Sequence, residues 1–364
     1  MKQLKKLTWA VATIVLLYSC KKEDTAVPNA TFSVTEKIIE TNIKEIVTIN
    51  ATITAGKEVN EVWYVNGRAI SINSVFSHAF DVAGTYKVYY LAANQYGSFR
   101  DSFTVKVNAL IRSGGANAYV TKLFEYLPAP GQFINKAPGN LASAEGIVGK
   151  TGMVTLGAFG GYIVMGFDHS VPNKEGNDIQ VLGNALTEWS EPGIVYVMQD
   201  DNGNGLPDDK WYELAGSEFD KGPAEYARNY EVTYYRPDAP NKDVPWTDNK
   251  GASGFVKKNS FHTQAYYPEW ITANSYTLKG AWLKGKLDLT VPSYIKSMPY
   301  AWGYADNIVG GNLLDIDNAV DEKGNKVHLK AIDFIKVQTA VLGDGGWLGE
   351  VSTEVNGIKD LHYN

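Results

Sequence analysis

Ile46-Val47-Thr48-Ile49-Asn50-Ala51-Thr52-Ile53 alternates apolar and polar side chains with a period of two. That period sends successive side chains to opposite faces of an extended chain, so the stretch reads as a half-buried β-strand. Val59 to Val65 and Thr85 to Ala92 alternate in much the same way, and Phe103-Thr104-Val105-Lys106-Val107 closes the set. Asn66-Gly67 marks a hairpin, because both central residues of a type I′ turn need positive φ. Strands at this spacing predict a small β-sandwich over residues 31–108.

Downstream, Ile111-Arg112-Ser113-Gly114-Gly115-Ala116-Asn117-Ala118 lies between two apolar-patterned blocks, and residues 109–118 read as a linker. Residues 119–364 carry more strand patterns. Val154 to Asp168 reads as two strands around Gly160-Gly161, Asp178 to Ala185 as another, and Gly193 to Met198 as a β-branched run between turns. Ile332 to Thr339 alternates cleanly. The block is too rich in strands for a dinucleotide-binding fold and shows no repeat of propeller length. An all-β chain is expected: an immunoglobulin-like sandwich followed by a larger, jelly-roll-like double sheet.

Two resemblances sharpen this reading. Glu61-Val62-Trp63-Tyr64-Val65-Asn66-Gly67, Phe80-Asp81-Val82-Ala83-Gly84-Thr85-Tyr86-Lys87-Val88 and Ala92-Ala93-Asn94-Gln95-Tyr96-Gly97-Ser98 together resemble a PKD domain. That family implies an immunoglobulin-like spacer with Trp63 in its core. Gly160 to His169, Ser190 to Val197 and Leu314 to Asp321 resemble a group of Bacteroidetes cell-surface proteins with PKD-like N-termini. Some members of that group look like lipoproteins encoded beside outer-membrane corrinoid (vitamin B12) uptake systems. The resemblance implies ligand capture for a transporter, with a corrinoid as the ligand.

The N-terminus fits such a location. Met1-Lys2-Gln3-Leu4-Lys5-Lys6 is basic, Leu7 to Tyr18 is apolar, and Leu17-Tyr18-Ser19-Cys20 reads as a lipobox. The apolar run is short for a membrane span and suits a signal peptide over residues 1–19. Cys20 is the one cysteine of 364 residues. It is expected to be acylated, with residues 20–30 as a tether, which places the chain on the outer membrane facing outward. Lys21-Lys22-Glu23-Asp24 resembles the surface-export signals of Bacteroidetes lipoproteins; the plain alternative is a solvated linker. The formal charge of −6 speaks against a nucleic-acid partner.

The sharpest local motif is Asp200-Asp201-Asn202-Gly203-Asn204-Gly205-Leu206-Pro207-Asp208-Asp209. Counted from Asp200, oxygen side chains fall at positions 1, 3, 5 and 9, with glycine at position 6. This is the spacing of an EF-hand-type calcium loop, with Asp200, Asn202, Asn204 and Asp208 as side-chain ligands and the Leu206 carbonyl as another. Position 12 is Trp211 instead of glutamate, so weak structural calcium is expected. The alternative is an Asx-rich turn without a metal.

Aromatic residues crowd residues 261–304 among turn residues. His262, Tyr266, Tyr267, Trp270, Trp282, Tyr300 and Trp302 are the candidate ligand contacts, because stiff rings with a polar tip suit an amphipathic ligand or a sugar. Core packing is the competing explanation. No paired-histidine, nucleophile-elbow or phosphate-loop motif occurs, so a non-enzyme is expected. The function read from the chain is capture of a small ligand, corrinoid first and glycan second. A glycoside hydrolase or an adhesin is the remaining alternative.

Overall fold

The computed structural model describes residues 25–363. The segment expected to be a signal peptide, Cys20 and the start of the expected tether lie outside them. The described chain is almost entirely β and divides into two units, one of residues 25–80 and 84–107, the other of residues 81–83 and 108–363.

The smaller unit is a two-sheet sandwich. Ile46–Ala55 runs between Asn29–Phe32 and Val75–Ala79 in a three-stranded sheet. The second sheet orders Ile38–Asn42, Gly97–Asn108, Gly84–Asn94, Asn60–Val65 and Arg68–Ser71. Val47, Ile49 and Ala51 are buried while their neighbours face solvent, as the period of two requires. Asn66 and Gly67 take φ of 47° and 87° and close the hairpin. Trp63 is fully buried, with its ring centroid 4.8 Å from that of Tyr90, 5.5 Å from Phe76 and 5.7 Å from Phe32.

The larger unit is built on a six-stranded antiparallel sheet. Its order is Ala319–Val320, Tyr212–Leu214, Gly193–Met198, Ala331–Thr339, Tyr162–Pro172 and Lys122–Leu127. Ala331–Thr339 is central and buried nearly throughout, because both of its faces are covered. On one face, Ile163, Val337 and Val195 share a core with Ile179, Leu314 and Ile358 of a three-stranded sheet. Beyond the opposite face lies a four-stranded sheet of Ser253–Val256, Val244–Asp248, Tyr226–Tyr235 and Ser275–Leu283. Gln338 crosses to it and donates to the Lys279 carbonyl at 3.1 Å. The result is stacked β-sheets with an unequal division of strands. The segments either side of Gly160-Gly161 belong to different sheets: Val154–Thr155 pairs with Glu354–Val355, and Tyr162–Pro172 enters the six-stranded sheet. A side chain at Gly161 would put its Cβ 1.8 Å from the Leu156 carbonyl oxygen.

No helix among the described residues is long and apolar enough to cross a membrane.

Candidate functional site

Of the seven aromatic-region candidates, three are core. Tyr266, Tyr267 and Tyr300 are each no more than 3% exposed and offer a ligand no ring face. Their hydroxyls are spoken for: Tyr267 donates to the Ala273 carbonyl, Tyr300 to the Lys284 carbonyl, and Tyr266 accepts from the Asn259 N–H. Trp282 is half-buried against Tyr230. His262 is half-buried, edge-on to Phe133 at 4.7 Å. Its pKa is lowered, first by burial and then by Lys136 and Lys258. Trp270 and Trp302 are exposed. The seven side chains are divided between two cores and scattered surface.

The calcium-loop residues are brought together. Asn204 donates its backbone N–H to Asp200 at 3.1 Å and its side-chain amide to both Asp208 oxygens at 3.0 and 3.1 Å. Asn202 Oδ1 accepts the Asn204 N–H and Asn204 Oδ1 accepts the Leu206 N–H, two successive Asx turns. Gly203 and Gly205 supply positive φ. Asp200 is almost fully buried, and its backbone N–H donates to Asp333.

Three loops of the larger unit form an aromatic groove that sequence patterning did not reveal. Leu186 and Trp189 exchange backbone hydrogen bonds around a tight turn, which projects Trp189 from the loop. The loop is stitched to its neighbour by Ser190 N–H to Ser297 carbonyl and Ser297 N–H to Glu188 carbonyl, both 2.9 Å. Trp347 stands on a short 3-10 turn, Gly346–Leu348, and its indole N–H donates to the Pro292 carbonyl at 2.9 Å. Together with Tyr294 and Ile295 these side chains line a groove of about 490 Å³. Tyr294 and Trp347 are 57% and 51% exposed. Glu188 sits beside them, accepting from Lys296 at 2.6 Å and from the Tyr294 hydroxyl at 2.5 Å. Those two donors hold its carboxyl below the usual range.

Trp189 and Leu348 also wall an adjoining pocket of about 300 Å³, which Phe133 and Met153 cap and Glu191 and Glu354 floor. There Glu191, Asp306 and Glu354, all buried, place oxygens within 4.8 Å of one another. Burial pushes each carboxyl up; repulsion from neighbouring acids adds to it at Glu191 and Glu354, while backbone N–H bonds oppose it at Asp306. The Thr155 hydroxyl donates to Glu354 at 2.8 Å, and the Ser352 N–H donates to Glu191 at 2.9 Å. Asp306 accepts three backbone N–H groups, from Asn184, Ala185 and Glu354. The cluster therefore knots the loop that bears Trp189 to the chain around residues 350–354.

The sequence signal for the groove was weak: single tryptophans among turn residues, at Glu188-Trp189-Ser190 and Gly346-Trp347-Leu348, far apart in the chain.

No protein-family model matches the chain, and no curated protein is significantly similar to it. Solved structures with some likeness include SGBP-B of the Bacteroides ovatus mixed-linkage glucan utilization locus, in complex with a mixed-linkage heptasaccharide. It aligns over 92% of this chain and 97% of its own, at 9% identity and a TM-score of 0.20. A SusE-like protein aligns over 92% and 95%, at 10% identity and a TM-score of 0.20. Fibronectin(III)-like modules of Clostridium thermocellum CbhA align over 22% of this chain and 98% of their own, at 15% identity and a TM-score of 0.20. Likeness this loose carries no functional argument; the chemistry of the groove side chains has to supply one.

Proposed function

We propose that the larger unit is a non-catalytic carbohydrate-binding domain, with a glycan lying along the groove of Trp189, Tyr294 and Trp347. One observation carries this reading: two large rings, each more than half exposed, stand at one groove over a half-buried third. Rings of this kind present flat apolar area to the C–H face of a pyranose, with polar edges for its hydroxyls. Glu188, fixed by Tyr294 and Lys296, adds an ionised acceptor for sugar hydroxyls. The adjoining acid cluster serves as a positioning element, since its carboxyls are engaged with backbone N–H groups and with the Thr155 hydroxyl.

Calorimetric titration of the full chain with neutral oligosaccharides tests the proposal. Binding that weakens about tenfold in Trp347→Ala supports it. An absence of binding, or binding that Trp347→Ala leaves intact, overturns it. The same titration with cyanocobalamin tests the corrinoid expectation, to which no contact in the described residues adds.

Two further expectations stand as proposals. Cys20 carries the lipid anchor that holds the chain at the outer-membrane surface, and loss of palmitate labelling in Cys20→Ser tests it. Asp200, Asn202, Asn204, the Leu206 carbonyl and Asp208 hold a structural calcium ion. These residues fit that role through their oxygen-rich donor set and the two Asx turns that already wind the loop.

A further inference from the structure

A second concavity of the larger unit, about 670 Å³, shares no lining residue with the groove. Its floor is set by strand register. Glu125, Val164, Lys336, Tyr196, Glu213 and Val320 pair in turn across all six strands, so their side chains form one row on one face of the sheet. Lys336, Tyr196 and Glu213 of that row line the bowl. A bulge in Tyr226–Tyr235, where Asn229 takes φ of 56°, turns Arg228 onto its wall. Trp211, half-buried, completes the wall.

The charges in the bowl do not balance. Glu213 is taken: the Tyr226 hydroxyl donates to it at 2.5 Å and Arg228 lies 3.5 Å away. Asp209 accepts the Asp201 and Asn202 N–H groups, and Asp321 accepts from Lys323 N–H and Asn325. Lys279 pairs with Glu231. Lys336 is different. Among the described residues no carboxylate lies within ion-pairing distance of its Nζ. Of the two acids of its row, Glu213 is engaged by Tyr226 and Arg228, and Glu125, which accepts from the Tyr162 hydroxyl at 2.7 Å, attracts Lys336 without forming an ion pair. Its ammonium rests over the rings of Tyr162 and Tyr196, at 4.1 and 5.3 Å. Lys210 and Lys323, both exposed, likewise form no ion pair among the described residues, although Lys210 attracts Asp321. The lining carries five cations, Lys210, Arg228, Lys279, Lys323 and Lys336, against four carboxylates, Asp209, Glu213, Asp321 and Glu322; of the two half-buried cations, Arg228 lies beside Glu213 and Lys336 has no ion pair among the described residues.

We propose that this bowl binds an acidic sugar, whose carboxylate or sulfate group becomes the counter-ion of Lys336. The volume falls within the range of small-ligand sites. Trp211 and Tyr196 offer ring surface, Arg228 and Asn229 offer hydroxyl partners, and the anion completes a pairing the protein lacks. Burial agrees with this, drawing the Lys336 pKa down to about 8. A bound anion reverses that trend by favouring the charged amine.

Amine acetylation of the full chain near that pH, read by peptide mass at Lys336, tests the proposal with glucuronate, glucose 6-sulfate and glucose as probes. A saturating acidic sugar is expected to slow acetylation at Lys336 about tenfold, with glucose inert, and the acid that protects identifies the group recognised. Lys336→Met is expected to weaken binding of that sugar at least about tenfold and Lys336→Arg to retain it. The proposal is overturned if neither acid protects Lys336, if glucose protects equally, or if Lys336→Met binds as the parent does. Should Lys336→Met fail to fold, protection in the parent chain decides alone. None of these readouts involves the groove.

Discussion

Asp306 and Glu354 attract through the backbone and repel through their side chains. Asp306 Oδ2 accepts the Glu354 N–H at 2.9 Å, while the two carboxyls crowd within 4.8 Å, together with Glu191. This conflict lies beside the loop that carries Trp189, because Glu191 is only two residues on from that ring.

Stability is expected to fall as pH rises from about 5 to about 8. The three carboxyls have raised folded pKa values, Glu191 reaching about 8, so the folded state holds more protons than the unfolded state across that window. Stability from these groups is fully present below the ordinary carboxylate pKa and lost as pH passes the folded values. Urea midpoints measured across the window should show the decline, and Glu191→Gln should flatten it. A flat parent profile would count against protonated carboxyls in the folded cluster.

Asp306→Ala strands three backbone N–H groups, two of them in buried residues, Ala185 and Glu354. A loss of at least about 2 kcal/mol is expected, since each buried unsatisfied group costs about 1–3 kcal/mol. Denaturant unfolding checks it.

Trp347→Ala and Tyr294→Ala remove exposed rings that the fold does not need. Each is expected to weaken oligosaccharide binding about tenfold, near 1.4 kcal/mol, and to leave the melting temperature nearly unchanged. Trp302→Ala, an exposed ring that does not line the groove, serves as the control and should bind normally.

Calcium in tenfold excess over its Kd should add about 1.4 kcal/mol of stability through the 200–208 loop. Asp208→Asn should remove most of that gain. Identical melting curves in calcium and in chelator would sink the site.

Trp63→Ala should cost about 3–5 kcal/mol in the smaller unit, through the cavity left among Phe32, Phe76 and Tyr90. Trp63→Phe should be much milder, because the buried indole N–H of Trp63 has no hydrogen-bond partner to lose.

The strands of the smaller unit were legible because their determinants are local. An alternating run such as Ile46 to Ile53, and a turn such as Asn66-Gly67, carry their geometry within a few residues. The central strand Ala331–Thr339 was legible as a strand, but not as one covered on both faces, because that depends on sheets contributed from elsewhere in the chain. The aromatic stretch misled for the same reason. Tyr266 and Tyr300 have turn-like neighbours in sequence, yet they face inward onto separate cores.

What the chain by itself determined is therefore its all-β class, the hairpin at Asn66-Gly67 and the winding of the Asp200 loop, each written by near neighbours. Tertiary structure alone decided the groove and the bowl. Trp189, Tyr294 and Trp347 come from three loops, and Lys336, Tyr196 and Glu213 from three strands brought into one row by register. Burial and unmatched charge belong to such gatherings and to no single residue, so they have no signature along the sequence.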